Sequence, residues 1–183
     1  MKTLEGLRGR LQEITQSEEA IYDSRHRSSI NDLIQKLHSL RPCLRSTKEC
    51  ISTSSELRLA FLTTSEDGDS TNINDKLWKF GQRFGNMRLV SSSDEDGELK
   101  FNVDMSLGRI LKIRYAFTAH TDTVTYDDFF FSAFGRLLYH RHIKRRENWN
   151  VLYEDELIRI FRTSEVDQYL EGTIYERLFI LSK

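Results

Sequence analysis

The stretch ELKFNVDMSLGRILKIRYAFT, residues 98–118, decides the fold. Leu99, Phe101, Val103 and Met105 alternate with Lys100, Asn102 and Asp104. After the turn residues 106–108, Leu111, Ile113, Tyr115 and Phe117 alternate with Lys112, Arg114, Ala116 and Thr118. Successive side chains of a strand point to opposite faces, so this period of two describes two half-buried strands joined by a tight turn. Runs of similar character lie on both sides: LRLAFLT (57–63), NMRLVSS (86–92), TVTYDDFFF (123–131), GRLLYH (135–140), WNVLY (149–153), ELIRIFR (156–162) and ERLFILS (176–182). Turn signals separate them at Asp67-Gly68, Asp96-Gly97 and residues 120–122. Short strands spaced by about 8 to 12 residues predict a sandwich or a closed barrel. The aromatic residues on the apolar faces favour a barrel of about eight strands with a filled or small-ligand interior.

Toward the N-terminus the period changes. Leu4, Leu7, Leu11 and Ile14 recur at helical spacing, as do Ile30, Leu33, Ile34, Leu37 and Leu40. The second helix is predicted to start at Ser29, with Asp32 three residues on, and to stop before Pro42, whose ring disfavours helix at Arg41. The Ser/Thr-rich stretch RSTKECISTSS (45–55) reads as a connector. Residues 1–55 are therefore a helical segment and linker, and residues 56–183 the barrel, with the helices beside it or over one mouth.

Composition narrows the function. The chain has 183 residues, 38% hydrophobic and 30% charged, which is enough for one domain with an appendage. A net charge of −1 gives no global field for nucleic acid, so none is expected as a partner. Cys43 and Cys50 are too few for a four-cysteine zinc site and predict a reducing compartment. The densest apolar run, FFFSAFGRLLY, is too short to span a bilayer and carries an arginine. The N-terminal MKTLEGLRGRLQEI is unlike a secretory signal or a transit peptide, so any targeting segment is expected to be missing from this chain.

Candidate sites are few. His140 and His142 share a strand face that two zinc ligands could use, but the sequence identifies no third ligand, and a solvated pair is expected with no metal. The run HRHIKRR (140–146) is the most basic stretch and reads as an exposed hairpin end. Its Arg141, Lys144, Arg145 and Arg146 are candidate contacts for anionic lipid head groups or an acidic partner. No nucleophile elbow or phosphate-cradling loop occurs, so no catalytic residue is expected and the protein reads as a non-enzyme. Phe101, Val103, Tyr115, Phe117, Phe129 and Phe131 either line a cavity for a hydrophobic molecule or fill the barrel.

The stretch ELIRIFR places one arginine on each face of a strand. A buried guanidinium is tolerable only when carboxylates, carbonyls or aromatic faces satisfy its donors. With its flanks, the region resembles the C-terminal motif of the plastid lipid-associated proteins, the PAP/fibrillin family. Tyr153, Asp155, Arg159, Ile160 and Arg162 stand in register with that motif, and Leu178 to Leu181 supply its closing apolar strand. LIQKLHSLRP and LRLAF followed by Thr63-Thr64-Ser65 are similar to the family's helix end and first strand. Leu57 stands where the family has tryptophan and Thr163 where it has glycine, and residues 164–175 lengthen a loop. The likeness, to a divergent member, runs over residues 25–183.

The resemblance implies a mostly β, lipocalin-like antiparallel barrel with N-terminal helices. It implies a chloroplast protein peripheral to thylakoid or plastoglobule in a photosynthetic organism, binding a lipid, prenylquinone or carotenoid without chemistry. Arg159 would close one barrel end, stacked on an aromatic ring and tied to oxygens, with Arg162 nearer solvent. Two other readings are a solid barrel acting as a structural or assembly subunit on a photosynthetic membrane complex, and a bilin-handling lipocalin-like protein.

Overall fold

The structure is a computed structural model that describes residues 3–16, 24–53, 56–64, 86–95, 98–166 and 174–182. Eight antiparallel strands follow one another round a closed barrel: β1 (Glu56–Thr64), β2 (Asn86–Glu95), β3 (Glu98–Leu107), β4 (Leu111–Ala119), β5 (Thr123–Ala133), β6 (Arg136–Glu154), β7 (Ile158–Val166) and β8 (Ile174–Ser182). β1 pairs with β8 and closes the circle. The protein is thus mostly β with a lipocalin-like, up-and-down barrel, and a closed sheet leaves no edge at the seam.

The β3–β4 hairpin forms as its alternation dictates, with Leu99 opposite Ala119 and Phe101 opposite Phe117, and with Leu99, Phe101, Val103 and Met105 all buried. Gly108 takes a φ of +60° in the turn, a conformation that a side chain would disfavour. Two of the expected strands are one. GRLLYH and WNVLY belong to the 19-residue β6, which continues through HRHIKRRE with an irregularity at Lys144, where φ is +53°. The basic run is therefore mid-strand rather than a hairpin end, because His140 to His142 and Arg145 to Arg146 pair with β5 on either side of the irregularity. The turn at Asp67-Gly68 and the turn residues Asp96-Gly97 fall outside the described residues.

Three helices precede the barrel: α1 (Leu4–Gln16), α2 (Ser24–Leu40) and α3 (Thr47–Ser52). α2 begins before Ser29, which lies inside the helix, and ends ahead of Pro42 as expected. α3 arises in the stretch read as a connector, where Ser46 and Glu49 form a full capping box.

Two apolar clusters organise the molecule. One fills the barrel and includes Phe101, Tyr115, Phe117, Trp149, Phe161 and Phe179, with Cys50 and Ile51 of α3 reaching into it. The other joins Leu7, Leu11, Ile30, Ile34 and Leu37 of α1 and α2 to Tyr153, Ile158, Ile160, Leu178 and Ile180 on the outside of β6, β7 and β8. The long helices thus lie beside the barrel, and α3 caps one mouth. This double coverage explains why ELIRIFR and LFIL are apolar on both faces: β7 and β8 are wall and platform at once.

Candidate functional site

The capped end is built around Arg159. Thr47 donates its hydroxyl to the carbonyl of Trp149 at 2.7 Å, and the Lys48 N–H reaches the carbonyl of Thr121 at 3.3 Å, so α3 is tied to two parts of the barrel rim. The C-terminal end of α3 then faces the inner side of β7. Arg159, 5% exposed, donates to the carbonyl of Cys50 and to Oγ1 of Thr53 at 3.0 Å, and pairs with Oε1 of Glu154 at 3.3 Å. Glu154 lies opposite Arg159 in the β6–β7 register. The nearer acids in sequence, Asp155 and Glu156, have other surroundings.

Glu154 also accepts from Nη1 of Arg45, 3.1 Å from each of its oxygens, and from the Cys50 thiol at 3.1 Å. Cys43 lies 4.0 Å from Cys50, sulfur to sulfur. Burial pulls the Arg159 guanidinium below its ordinary value while Glu154 opposes the pull, and the charge persists because arginine titrates far above neutrality. Burial first, and then the hydrogen bond to Glu154, push the Cys50 thiol well above its usual range. A thiol held protonated is a poor nucleophile.

Tyr153 and Asp155 make a different unit. The Tyr153 hydroxyl donates to Asp155 Oδ2 at 3.0 Å, while Oδ1 accepts the N–H groups of Leu157 and Ile158, both at 2.7 Å. Arg8 of α1 reaches Oδ2 at 3.5 Å. Asp155 therefore caps the β6–β7 turn and links it to α1. Arg162, half-buried, lies opposite Asn150. A cleft of about 650 Å³ at this end, between helices and barrel, is lined among others by the charged Arg8, Arg41, Arg45, Glu154 and Arg159 together with Leu4.

All six residues expected to line a cavity point inward, but they are not equivalent. Phe101, Val103, Tyr115 and Phe117 are buried, whereas Phe129 and Phe131 are half-buried. Phe101 stacks on Phe117 with centroids 4.9 Å apart, Trp149 stacks on Phe179 at 5.2 Å, and Phe117 meets Tyr126 edge-on at 4.4 Å. Ring therefore meets ring across the capped part of the barrel. Tyr126 and Phe129 both reach the interior because the register of β5 shifts at Asp127, against β4 and against β6. Sequence alternation alone would have put them on opposite faces.

The other end is different in character. Phe134 is 79% exposed at the β5–β6 turn, and Ile110, Leu137, Leu138 and Tyr139 are each at least half exposed. Arg136 on the same turn, and Arg109 and Lys112 by the adjoining β3–β4 turn, are exposed beside them, whereas Arg141, Lys144 and Arg146 are exposed farther along β6, with Arg146 against Thr123 toward the capped end. Arg145, expected among the contact residues, is turned toward the barrel instead. It lies opposite Tyr126 and pairs with the buried carboxylate of Glu147 at 3.2 Å, and Glu147 accepts the Tyr126 hydroxyl at 3.0 Å. Two residue groups escaped the sequence reading. Ser46-x-x-Glu49 was a readable signal for α3, whereas the Glu154 pairing depends on register alone.

No protein-family model, no curated protein and no solved structure matches this chain.

Proposed function

We propose that this chain is a divergent relative of the plastid lipid-associated proteins, acting without catalysis by binding a hydrophobic molecule of the lipid, prenylquinone or carotenoid class at a plastid membrane. The β-barrel fold is compatible with a hydrophobic ligand. The observation that carries the reading is the difference between the two barrel ends. One is closed by α3 and the Arg159–Glu154 pair, and the other exposes Ile110, Phe134, Leu137, Leu138 and Tyr139 with Arg109, Lys112 and Arg136 beside them. Exposed apolar clusters on a folded protein mark interaction sites. Aromatic and aliphatic side chains next to basic ones suit an anionic lipid surface, with the chains entering the apolar layer and the cations meeting head groups. A small hydrophobic molecule would then be met at the half-buried Phe129 and Phe131, toward this end.

A second reading, a solid barrel serving as an assembly subunit on a photosynthetic membrane complex, is favoured by the stacked rings of the capped half. Organic extraction of protein purified from its native source, followed by mass spectrometry, separates the two. A recovered quinone, carotenoid or lipid supports the first; an empty extract from protein that co-purifies with a membrane complex supports the second and removes the first.

A further inference from the structure

Asp128 supplies the third ligand that the histidine pair lacks in the sequence. It lies opposite His142 in the β5–β6 register, and His140, two residues earlier on β6, lies opposite Phe130. Directly opposed residues on an antiparallel pair bring their Cβ atoms within about 5 Å, so the juxtaposition is a property of the ladder and not of one chosen rotamer. Nε2 of His140 is 2.8 Å and Nδ1 of His142 2.5 Å from the same oxygen, Oδ1 of Asp128. The His140 ring lies flat on Phe130 with centroids 4.6 Å apart, which restrains it. The two imidazoles are inclined at 72°, and their nitrogens converge on that one oxygen.

We propose that Asp128, His140 and His142 form a binding site for a divalent transition metal of the zinc class on the outer face of the β5–β6 hairpin. The three ligand atoms all lie within 4.8 Å of one another. Tetrahedral zinc at its usual bond lengths separates its ligands by about 3.4 Å, so the two nitrogens need retreat from Oδ1 by less than about 1 Å. Two imidazole nitrogens with one carboxylate oxygen suit zinc, nickel or copper and are a poor set for calcium or magnesium, which take oxygen donors. Three protein ligands leave at least one position open to water or to another donor.

The competing cluster, Cys43 with Cys50 and Glu154, is a weaker candidate. Its carboxylate is already engaged by Arg45 and Arg159, and Cys50 is wholly buried, whereas the histidines are open to solvent. The hairpin site also has a mechanical consequence. β6 pairs with β7 only over residues 148–154, and above that its described ladder is with β5 alone. A metal held by Asp128 on one strand and both histidines on the other would pin this longer arm in register.

Calorimetric titration of the full chain with zinc chloride tests the site. The expected result is one zinc per chain, with affinity weakened by about tenfold or more in each of Asp128→Asn, His140→Gln and His142→Gln, the scale on which metal-site changes act. Cys43→Ser should bind as the parent does, and far-ultraviolet circular dichroism should show all four variants folded. Cobalt in place of zinc should give visible bands without a thiolate charge-transfer band. Absence of binding, undiminished binding by the His140→Gln/His142→Gln double variant, or a thiolate band on the first equivalent of cobalt would each overturn the assignment.

Discussion

Glu154 and Arg159 face each other across the β6–β7 ladder, carboxylate to guanidinium at 3.3 Å, inside the end of the barrel that α3 covers. The pair joins three separate pieces of chain. Glu154 also takes Arg45 from the loop before α3, and Arg159 also takes the carbonyl of Cys50 and the hydroxyl of Thr53 from its end.

Removing the guanidinium would leave a carbonyl and a half-neutralised carboxylate behind. Arg159→Leu is therefore expected to destabilise the protein by about 3 kcal/mol, the lower end for a broken buried pair because Arg45 remains on Glu154. Arg162→Gln, on the half-buried outer face, should stay within about 0.5 kcal/mol. Urea midpoints of the two variants measure the contrast, and equal losses would remove the special role of Arg159.

Tyr153 gives the alkaline limb of stability. Burial, and then its hydrogen bond to Asp155, push its hydroxyl from an ordinary 10.0 up to about 12. The folded form keeps the proton longer than the unfolded form, so the contribution is complete below the ordinary value and is lost as pH rises from there through about 12. Tyr153→Phe should be less stable at neutral pH by about 1 kcal/mol. Its deficit relative to the parent should shrink through that alkaline window in denaturant titrations.

Asp155 gives an acid counterpart. Burial raises its carboxyl, but the N–H groups of Leu157 and Ile158, the Tyr153 hydroxyl and Arg8 together outweigh burial and hold it below the usual 3.8. The stabilisation is present above that ordinary value and is lost as pH falls through the depressed one. Asp155→Ala is expected to cost about 1 to 2 kcal/mol at neutral pH, as for a lost cap, and to weaken the dependence of stability on acid.

Cys50 should be inert although it is one of only two thiols. Its sulfur is wholly buried, donates to Glu154 and is held protonated. Maleimide labelling of native protein at neutral pH should modify Cys43 well before Cys50, with both reacting in denaturant. Equal native rates would show that the α3 cap opens freely.

The barrel was legible because its signal is local. The alternation in ELKFNVDM and LKIRYAFT needs no knowledge of neighbours, and both runs pair as they read. What escaped depends on pairing across strands. The register shift at Asp127 brings Tyr126 and Phe129 to one interior, turns Asp128 toward His140 and His142, and is silent in a sequence where Asp127 and Asp128 look alike. Arg145 was misplaced among the contact residues for the same reason, since its partner Glu147 reads as an acid diluting a basic run. The polar stretch at residues 45–55 concealed α3, whose helix is short and carries only Cys50 and Ile51 into the core. The apolar tip was visible as FFFSAFGRLLY, but its exposure was not, because apolar residues in a strand read as buried.

Vesicle flotation shows whether the apolar end of the barrel binds a lipid surface. With vesicles containing anionic lipid, the parent protein is expected to float, and a Phe134→Asp/Leu138→Asp variant to remain with the soluble fraction while melting at the same temperature. Equal flotation of both proteins, or none by the parent, would mean that the apolar end of the barrel does not meet the membrane.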